Sequence, residues 1–484
     1  MKQSRRKILG GLFWSYAERI GAQMVSMLVT IVLARLIAPE EYGVISLVTV
    51  FISLANTFVS DGFGNALVQK KNADNLDFSS MLFFSLGVSV ILFLILFAVS
   101  PLVAAYYAMP ALTSVMRVMA IRIPIAAINS IQRAYVSKRM EFKKFFYSTL
   151  IGTVISAFVG IGMAYVGFGV WALVAQYLTN SVIDTFVLAI TTRWKPVWKI
   201  SFARLKPLVS FGWKILAVAL MTTLYSNLRN LIIGKQYSSE ELAFSNKGQQ
   251  FPSIISVNIN TSITSVIFPV ISESQDDLPR VLSLTRRTIK VGTFLMAPIL
   301  LGLAAIATPV VRILLTDKWL PCVPYMQIMC VVYLLQPIQT ASLQAMKALG
   351  QSALYMKLEI VKKVFGLLVL LISMVFFHSV LVIILSALVA EIISTVINFP
   401  ANKKLLNYSY MDQIIDVGKP LVAAFLMWIL LDMLSTFTGT GLLGMLVSIP
   451  VGAALYLFFC LLFRNDSLDY VVGILKIGIR KRCA

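Results

Sequence analysis

The chain has 484 residues, 58% of them hydrophobic and only 13% charged, with a formal net charge of +21. Soluble domains carry about 25% charged residues, so the composition excludes an ordinary soluble fold. Four cysteines (Cys322, Cys330, Cys460, Cys483) show no paired spacing and His378 is the single histidine, so no metal, haem or other cofactor is expected.

The basic start MKQSRRK leads into an apolar run without a small-residue cleavage site, and it reads as a retained helix. Fourteen candidate spans follow in order, near 12–36, 43–60, 79–104, 111–133, 147–167, 169–190, 209–233, 243–270, 291–315, 324–346, 357–377, 380–399, 418–436 and 441–463. Runs of this length cross about 30 Å of hydrocarbon, and the absence of alternating strands points to helices rather than a barrel. The expected fold is therefore an all-α polytopic membrane protein. The spans near 12–36 and 243–270 are unusually polar, and very short turns join the helices within 147–190 and within 357–399.

With both termini in the cytoplasm, the cytoplasmic segments hold 28 Lys and Arg, against two, Lys235 and Lys318, on the opposite side. This positive-inside asymmetry absorbs most of the net charge, so no nucleic-acid partner is needed. A basic face on anionic lipid accounts for it. No segment between spans approaches domain size and no GxxxxGK[ST] loop occurs, so energy is expected from a gradient or from the substrate.

A weak internal repeat is present. Ala38–Gly43 (APEEYG) after span 1 matches 238–243 (SSEELA) after span 7. Pro124 with Gln132 in span 4 matches Pro337 with Gln344 in span 10. The registers place spans 1–6 over spans 7–12 in the same sense. They predict an N-terminal lobe over 1–200, a C-terminal lobe over 201–402, a pseudo-two-fold along the membrane normal, and two further spans with a basic tail over 403–484.

Twelve cations fall within spans, against five acids, Glu18, Asp184, Glu359, Glu391 and Asp432. Arg35, Arg133, Arg312 and Lys419 lie near helix ends, where snorkelling to the interface explains them. Lys362 and Lys363 either do the same or pair with Glu359. A central Arg costs about 2.5–3.5 kcal/mol on insertion scales, so deeper cations either line a watery cavity or form structural ion pairs. These are Arg19, Arg122, Arg229 and Lys247, with Lys214 and Arg117 as further candidates for the same cavity. Arg117 and Arg122 are off one helical stripe and need not share it. Glu18, Asp184 and Glu391 are candidate coupling or ion-pair acids. A cation-lined cavity suits phosphate or pyrophosphate. Prolines 124, 252, 298 and 337 are kink candidates, and Trp14, Trp171, Trp194, Trp198, Trp319 and Trp428 fit an interfacial belt.

The segments VLARLIAPEEYG (32–43), DGFGNALVQKK (61–71), YVSKRMEFKK (135–144), VIFPVIS (266–272) and LQAMKALGQ (343–351) resemble bacterial polysaccharide exporters. Those proteins are lipid-linked oligosaccharide flippases of the multidrug/oligosaccharidyl-lipid/polysaccharide (MOP) superfamily, and the Wzx-like colanic-acid-exporter branch is most similar. The resemblance implies two six-helix lobes around a cationic cavity. It implies translocation of undecaprenyl-pyrophosphate-linked repeat units across the inner membrane by alternating access, without catalysis. It also implies the lipid-linked oligosaccharide and membrane lipids as partners, with a polysaccharide polymerase and a chain-length regulator in the same pathway. In the related lipid II flippases, arginines early in span 1 are shared, and Arg19 is the candidate counterpart. Two other readings stand beside this one. A multidrug or Na⁺/H⁺-coupled antiporter is disfavoured by the excess of cations. A membrane enzyme of polysaccharide assembly would need catalytic groups on a loop.

Overall fold

The computed structural model describes residues 2–60, 63–439, 441–468 and 470; of residues 2–13, 15, 16, 63, 65, 211, 214 and 438 only the backbone is described. Every regular element among the described residues is helical. The chain forms two compact units, Met1–Ala243 and Phe244–Ala484.

The first unit contains α1 (Lys2–Leu36), α2 (Pro39–Ser60), α3 (Phe63–Gln69), α4 (Asn75–Tyr107), α5 (Ala111–Met119), α6 (Arg122–Arg139), α7 (Lys143–Tyr165), α8 (Val170–Thr192) and α9 (Phe202–Gln236). α10 (Ser239–Glu273) begins at its end. The second unit continues with α11 (Leu278–Ala305), α12 (Ala307–Leu314), a 3₁₀ turn (Asp317–Cys322), α13 (Val323–Leu334), α14 (Gln336–Ala348), α15 (Ser352–Phe376), α16 (Val380–Leu406), α17 (Tyr410–Thr438) and α18 (Leu442–Leu462).

Thirteen helical stretches among the described residues are long and apolar enough to cross a membrane, one fewer than the sequence reading. The difference is α15. Its helix is present, but Lys357, Glu359, Lys362 and Lys363 crowd its first half. Lys362 is buried and reaches Glu359 at 3.0 Å, so this cation is paired within its own helix rather than snorkelling.

Burial is arranged for an apolar solvent. On α4 the inward face carries Ser85, Ser89 and Ser100, fully buried, while Ile91, Leu94 and Leu102 are 59%, 56% and 70% exposed. A helix in water would reverse this pattern; in lipid the outward side chains face hydrocarbon and the small polar ones pack inward. Ser89 and Ser100 satisfy their hydroxyls on the carbonyls of Leu86 and Phe97.

Two expected spans are interrupted by a short turn whose residues keep right-handed helical dihedrals. Span 4 divides into α5 and α6 just before Pro124, and span 10 into α13 and α14 just before Pro337. Proline lacks the amide hydrogen, and its ring crowds the carbonyl four residues back, here Ala120 and Tyr333. Pro252 and Pro298, in contrast, lie inside continuous helices.

In the first unit α2 packs against α5, α6, α8 and α9. Its first turn meets the first turn of α10, where Gly43 lies so close to the Ser239 backbone that a Cβ has no room. The APEEYG and SSEELA segments of the sequence repeat are thus in contact. α7 and α8 form a hairpin closed by Gly167 and Gly169, both at positive φ. Along α7, Gly152, Ser156, Gly160 and Ala164 recur every four residues and are all buried, the small-residue stripe that lets two helices approach closely.

The segments 61–78, 134–146 and 192–208 meet at one end of this unit. Asn75 donates to the Lys195 carbonyl at 3.1 Å, Lys138 to the Leu67 carbonyl at 3.2 Å, and Arg204 pairs with Asp74. The side chain of Asp74 also caps α4 through the Asp77 amide. Arg204, and then the Asp77 amide, hold the Asp74 carboxyl below its ordinary value.

In the second unit α11 packs against α13, α14, α16, α17 and α18. Phe294, Leu300, Leu301, Met427, Leu431 and Tyr456 form its core, with Tyr456 donating to the Phe294 carbonyl at 2.9 Å. The two last helices are therefore built into this core. Arg286 ties α11 to α17 through Asp416 at 2.7 Å and Asp412 at 3.2 Å.

Candidate functional site

A cleft of about 400 Å³ opens in the first unit between α6 and α8, bordered by Ser60 and Gly64. Arg122, Asn129 and Arg133 enter from α6, and Asn180, Ser181 and Asp184 from α8. Residues 122, 126, 129 and 133 repeat at helical spacing, so one face of α6 supplies its whole contribution. The short turn before Pro124 puts Arg122 in the first turn of α6, where it reaches α8. Its Nε donates to the Ser181 hydroxyl at 3.0 Å, and the guanidinium lies 5.2 Å from the centre of the Tyr177 ring. Both partners are neutral. The four remaining N–H donors of Arg122 have no partner among the described residues. A cation over an aromatic face recovers about 0.5–2 kcal/mol, part of the cost of carrying an arginine within a span.

Arg133 corrects the sequence reading. Its position near the end of span 4 suggested snorkelling, but it reaches Glu18 of α1 at 3.4 Å and Asp184 of α8 at 3.9 Å. It also donates to Thr149 of α7 at 3.1 Å and lies 4.9 Å from the Phe145 ring centre. Glu18 accepts from Thr149 at 2.9 Å and Asp184 from Asn129 at 3.0 Å. One arginine thereby ties four helices. Gly152 sits against the backbone of Asp184 and Asn180, where a Cβ would come within 3.2 Å of the Asp184 amide nitrogen. The second oxygen of Asp184, Oδ1, is buried and accepts no hydrogen bond among the described residues.

The expected site residues divide accordingly. Glu18 and Asp184 meet at Arg133, and Arg122 lines the same cleft about three turns earlier on α6. Arg117 does not line this cleft: its Nε bonds Ser100 at 3.1 Å and the Phe97 carbonyl at 3.3 Å on α4. Arg19 is exposed on α1 and Arg229 half-buried on α9. The side chain of Lys214 lies outside the described residues. Lys247 belongs to the second unit, 6% exposed, bonded to Gln250 at 3.3 Å and 5.5 Å from the Trp319 ring centre. Trp319 is completely buried against Phe244, which removes it from the expected interfacial belt. Glu391 accepts from Gln339 at 2.7 Å.

The polar character of α10 has a structural explanation. Gln249 bonds the Tyr333 hydroxyl at 2.9 Å, and Ser256 and Asn260 bond Gln336 at 2.5 and 3.2 Å. Thr340 donates to Asn260 at 3.0 Å, and Gln344 reaches Thr264 at 3.5 Å. Positions 249, 256, 260 and 264 form one stripe, and so do 333, 336, 340 and 344. Much of this span's unusual polarity is a hydrogen-bonded seam with α13 and α14.

Sequence reasoning missed Asn129, Tyr177, Ser181 and the bridging role of Arg133. A signal existed for two of them, since Asn129 and Arg133 follow Arg122 at seven and eleven residues and so share its stripe.

Known proteins place this architecture. Residues 32–324 match a family described as "Polysaccharide biosynthesis protein". The chain is 24% identical over 425 residues to the lipopolysaccharide biosynthesis protein WzxC of Escherichia coli K12, covering 86% of this chain and 85% of that one. It is 22% identical to the succinoglycan biosynthesis transport protein ExoT of Rhizobium meliloti, covering 70% and 69% respectively. Among solved structures, the lipid II flippase MurJ in an inward closed conformation superposes with a TM-score of 0.78 at 14% identity, covering 94% of this chain and 100% of that one. An inward-facing multidrug resistance MATE transporter of the MOP superfamily gives 0.62 at 13% identity, covering 80% and 94%. The fold is that of these transporters, and the chain, a multi-pass membrane protein, belongs to the polysaccharide biosynthesis protein family.

Proposed function

We propose that this protein is a flippase of the bacterial inner membrane that carries undecaprenyl-pyrophosphate-linked oligosaccharide from the cytoplasmic to the outer leaflet, for assembly of a surface polysaccharide. The observation that carries the reading is Arg122. It is held in the first-unit cleft by a hydroxyl and an aromatic face, with four donors left over and no carboxylate within ion-pairing distance among the described residues. Such a group is prepared for an anionic oxygen, and a guanidinium can grip a phosphate through two parallel bonds. Arg133 provides a second guanidinium in the same cleft, at rest on Glu18 and Asp184. An entering pyrophosphate competes with those carboxylates for it.

The names of relatives support the same substrate class, since WzxC, ExoT and the teichuronic acid biosynthesis protein TuaB of Bacillus subtilis serve glycan assembly. Outward movement of an uncompensated anion gains about 2.3 kcal/mol per charge per 100 mV of inside-negative potential. Arg19, Arg229, Lys247, Lys214 and Arg117 remain part of this proposal as further cations along the path, and Glu391 as a further acid. So do cytoplasmic termini, alternating access, the division at residues 200 and 402, and hand-over to a polymerase and chain-length regulator. A cation antiporter is a poorer fit, because Glu18 and Asp184 already face a resident arginine.

The test is a deletion strain complemented with wild type, Arg122→Ala or Arg122→Lys, at matched membrane abundance. Deletion should abolish surface polysaccharide and wild type restore it. Arg122→Ala should lose at least about tenfold of the restored amount, with Arg122→Lys in between. Unchanged polysaccharide on deletion would sink the flippase reading. A fully active Arg122→Ala would sink only the site.

A further inference from the structure

A second cavity, about 590 Å³, lies at the basic end of the first unit and shares no lining residue with the cleft. The start of α4, the last turn of α6 and the segment after α8 build it. Its wall is aromatic. Tyr135 and Trp194 lie 5.6 Å apart at 32°, and Phe78 meets both rings edge-on. The Trp194 indole N–H donates to Asn75 at 2.5 Å, which fixes the ring. Lys138, Arg139, Arg193 and Lys195 line the cavity. Arg139 lies 4.1 Å from the Tyr135 ring centre, and Arg193 and Lys195 flank Trp194 in the chain.

These charges have no carboxylate partner among the described residues. Asp74, the carboxylate in the lining, is already held by Arg204 and the Asp77 amide. Lys138 is engaged by the carbonyls of Leu67 and Lys70. Cations at the ends of α6 and α8 also complement the helix dipoles. That accounts for Arg139 and Arg193 singly. It does not account for Lys195, beyond the helix end, or for the fixed aromatic wall.

The neighbouring backbone locates the cavity in the membrane. Residues 195–201 run along α4, pinned by the Val197 amide on Ser79 at 2.9 Å and the Ser201 amide on Ser80 at 3.0 Å. Trp198, packed 5.3 Å from Phe83, is 86% exposed, and Phe202 is 79% exposed. Bare aromatic side chains at span ends belong at headgroup level. The basic rim therefore sits at the depth of lipid phosphates, beside a path for acyl chains.

We propose that this cavity binds the headgroup of an anionic membrane phospholipid. The phosphate lies among Arg139, Arg193 and Lys195, the headgroup against Tyr135 and Trp194, and the acyl chains beside Trp198 and Phe202. A soluble phosphate offers the same charge, but it has no use for the exposed aromatic side chains.

The experiment uses the purified full chain in zwitterionic detergent. It is titrated with phosphatidylglycerol, phosphatidylcholine or inorganic phosphate, with the thermal midpoint and tryptophan fluorescence as readouts. Phosphatidylglycerol should bind at least about tenfold more tightly than phosphatidylcholine. Arg139→Gln/Arg193→Asn/Lys195→Gln should weaken it at least about tenfold, and the surface control Lys357→Gln/Lys403→Gln/Lys404→Gln should not. Phosphatidylglycerol brominated on its chains should quench fluorescence, and Trp198→Phe should lose much of that quenching. If the triple variant does not fold, Lys195→Gln, at an exposed position, should alone weaken binding about threefold. Equal affinity in the rim variants, or binding of millimolar inorganic phosphate as tight as that of the lipid, overturns the proposal.

Discussion

Arg133 shows what a single position conveys and what it conceals. Near a span end, the cheapest arrangement for an arginine is to snorkel, and nothing local argues otherwise. Its partners arrive from residues 18 and 184, more than a hundred and about fifty positions away, so the sequence gives no direct sign of the bridge. Hydrogen bonds to charged groups contribute about 1.5–3 kcal/mol, less for a side chain that is 39% exposed. Arg133→Gln should therefore lower the thermal midpoint in detergent by a few degrees. Glu18→Gln/Arg133→Gln should cost less than the sum of the single changes. Strict additivity would deny the coupling. Asp74 supports a pH prediction outside the spans. Its carboxyl is held below the ordinary value, so its contribution is present above the unfolded pKa, about 3.9. It is lost as pH falls through the lower folded value. Stability between pH 5 and 2 should fall less steeply in Asp74→Asn than in wild type. Because the pair is exposed, the effect should be small. Identical slopes would show that Arg204 does not tune this group.

At the scale of elements the sequence was legible wherever the signal was local. Apolar runs gave the helices, and two prolines marked the places where spans 4 and 10 divide. Which prolines would interrupt the helix was not distinguishable, because the outcome depends on the packing around each proline. Pro252 and Pro298 leave their helices whole. The polar residues of α10 were visible but their destination was not, since Gln336, Thr340 and Gln344 lie about 80 positions later. The α7 stripe makes a sharper prediction. A Cβ at Gly160 would lie 2.8 Å from the Gln176 Cβ. Interiors this close do not absorb added volume without strain, typically about 1–3 kcal/mol. Gly160→Ile should separate the hairpin, reduce folded yield and lower the thermal midpoint more than Gly162→Ile, where the space is open. Equal tolerance at 160 and 162 would remove the stripe from the account of hairpin packing.

The whole molecule combines two independent constraints on topology, and they can be tested apart. The fold requires that 61–78, 134–146 and 192–208 share one end of the first unit, because Asn75, Asp74 and Lys138 bond across them. The helices between them carry Pro110 and Val166 to the other end. That statement is independent of charge. The positive-inside rule then assigns the basic end to the cytoplasm. Single cysteines at Lys71, Lys143 and Lys199, and at Pro110 and Val166, all exposed, separate the two. Cys322, Cys330 and Cys460 are buried and give little background, while Cys483 is replaced by Ser. With a membrane-impermeant maleimide on intact spheroplasts, Pro110→Cys and Val166→Cys should label, and the other three only after permeabilisation. A complete reversal would keep the fold and refute the charge argument. A mixed pattern within either set would contradict the fold, because no rotation of a rigid helix bundle exposes half of one end to each side.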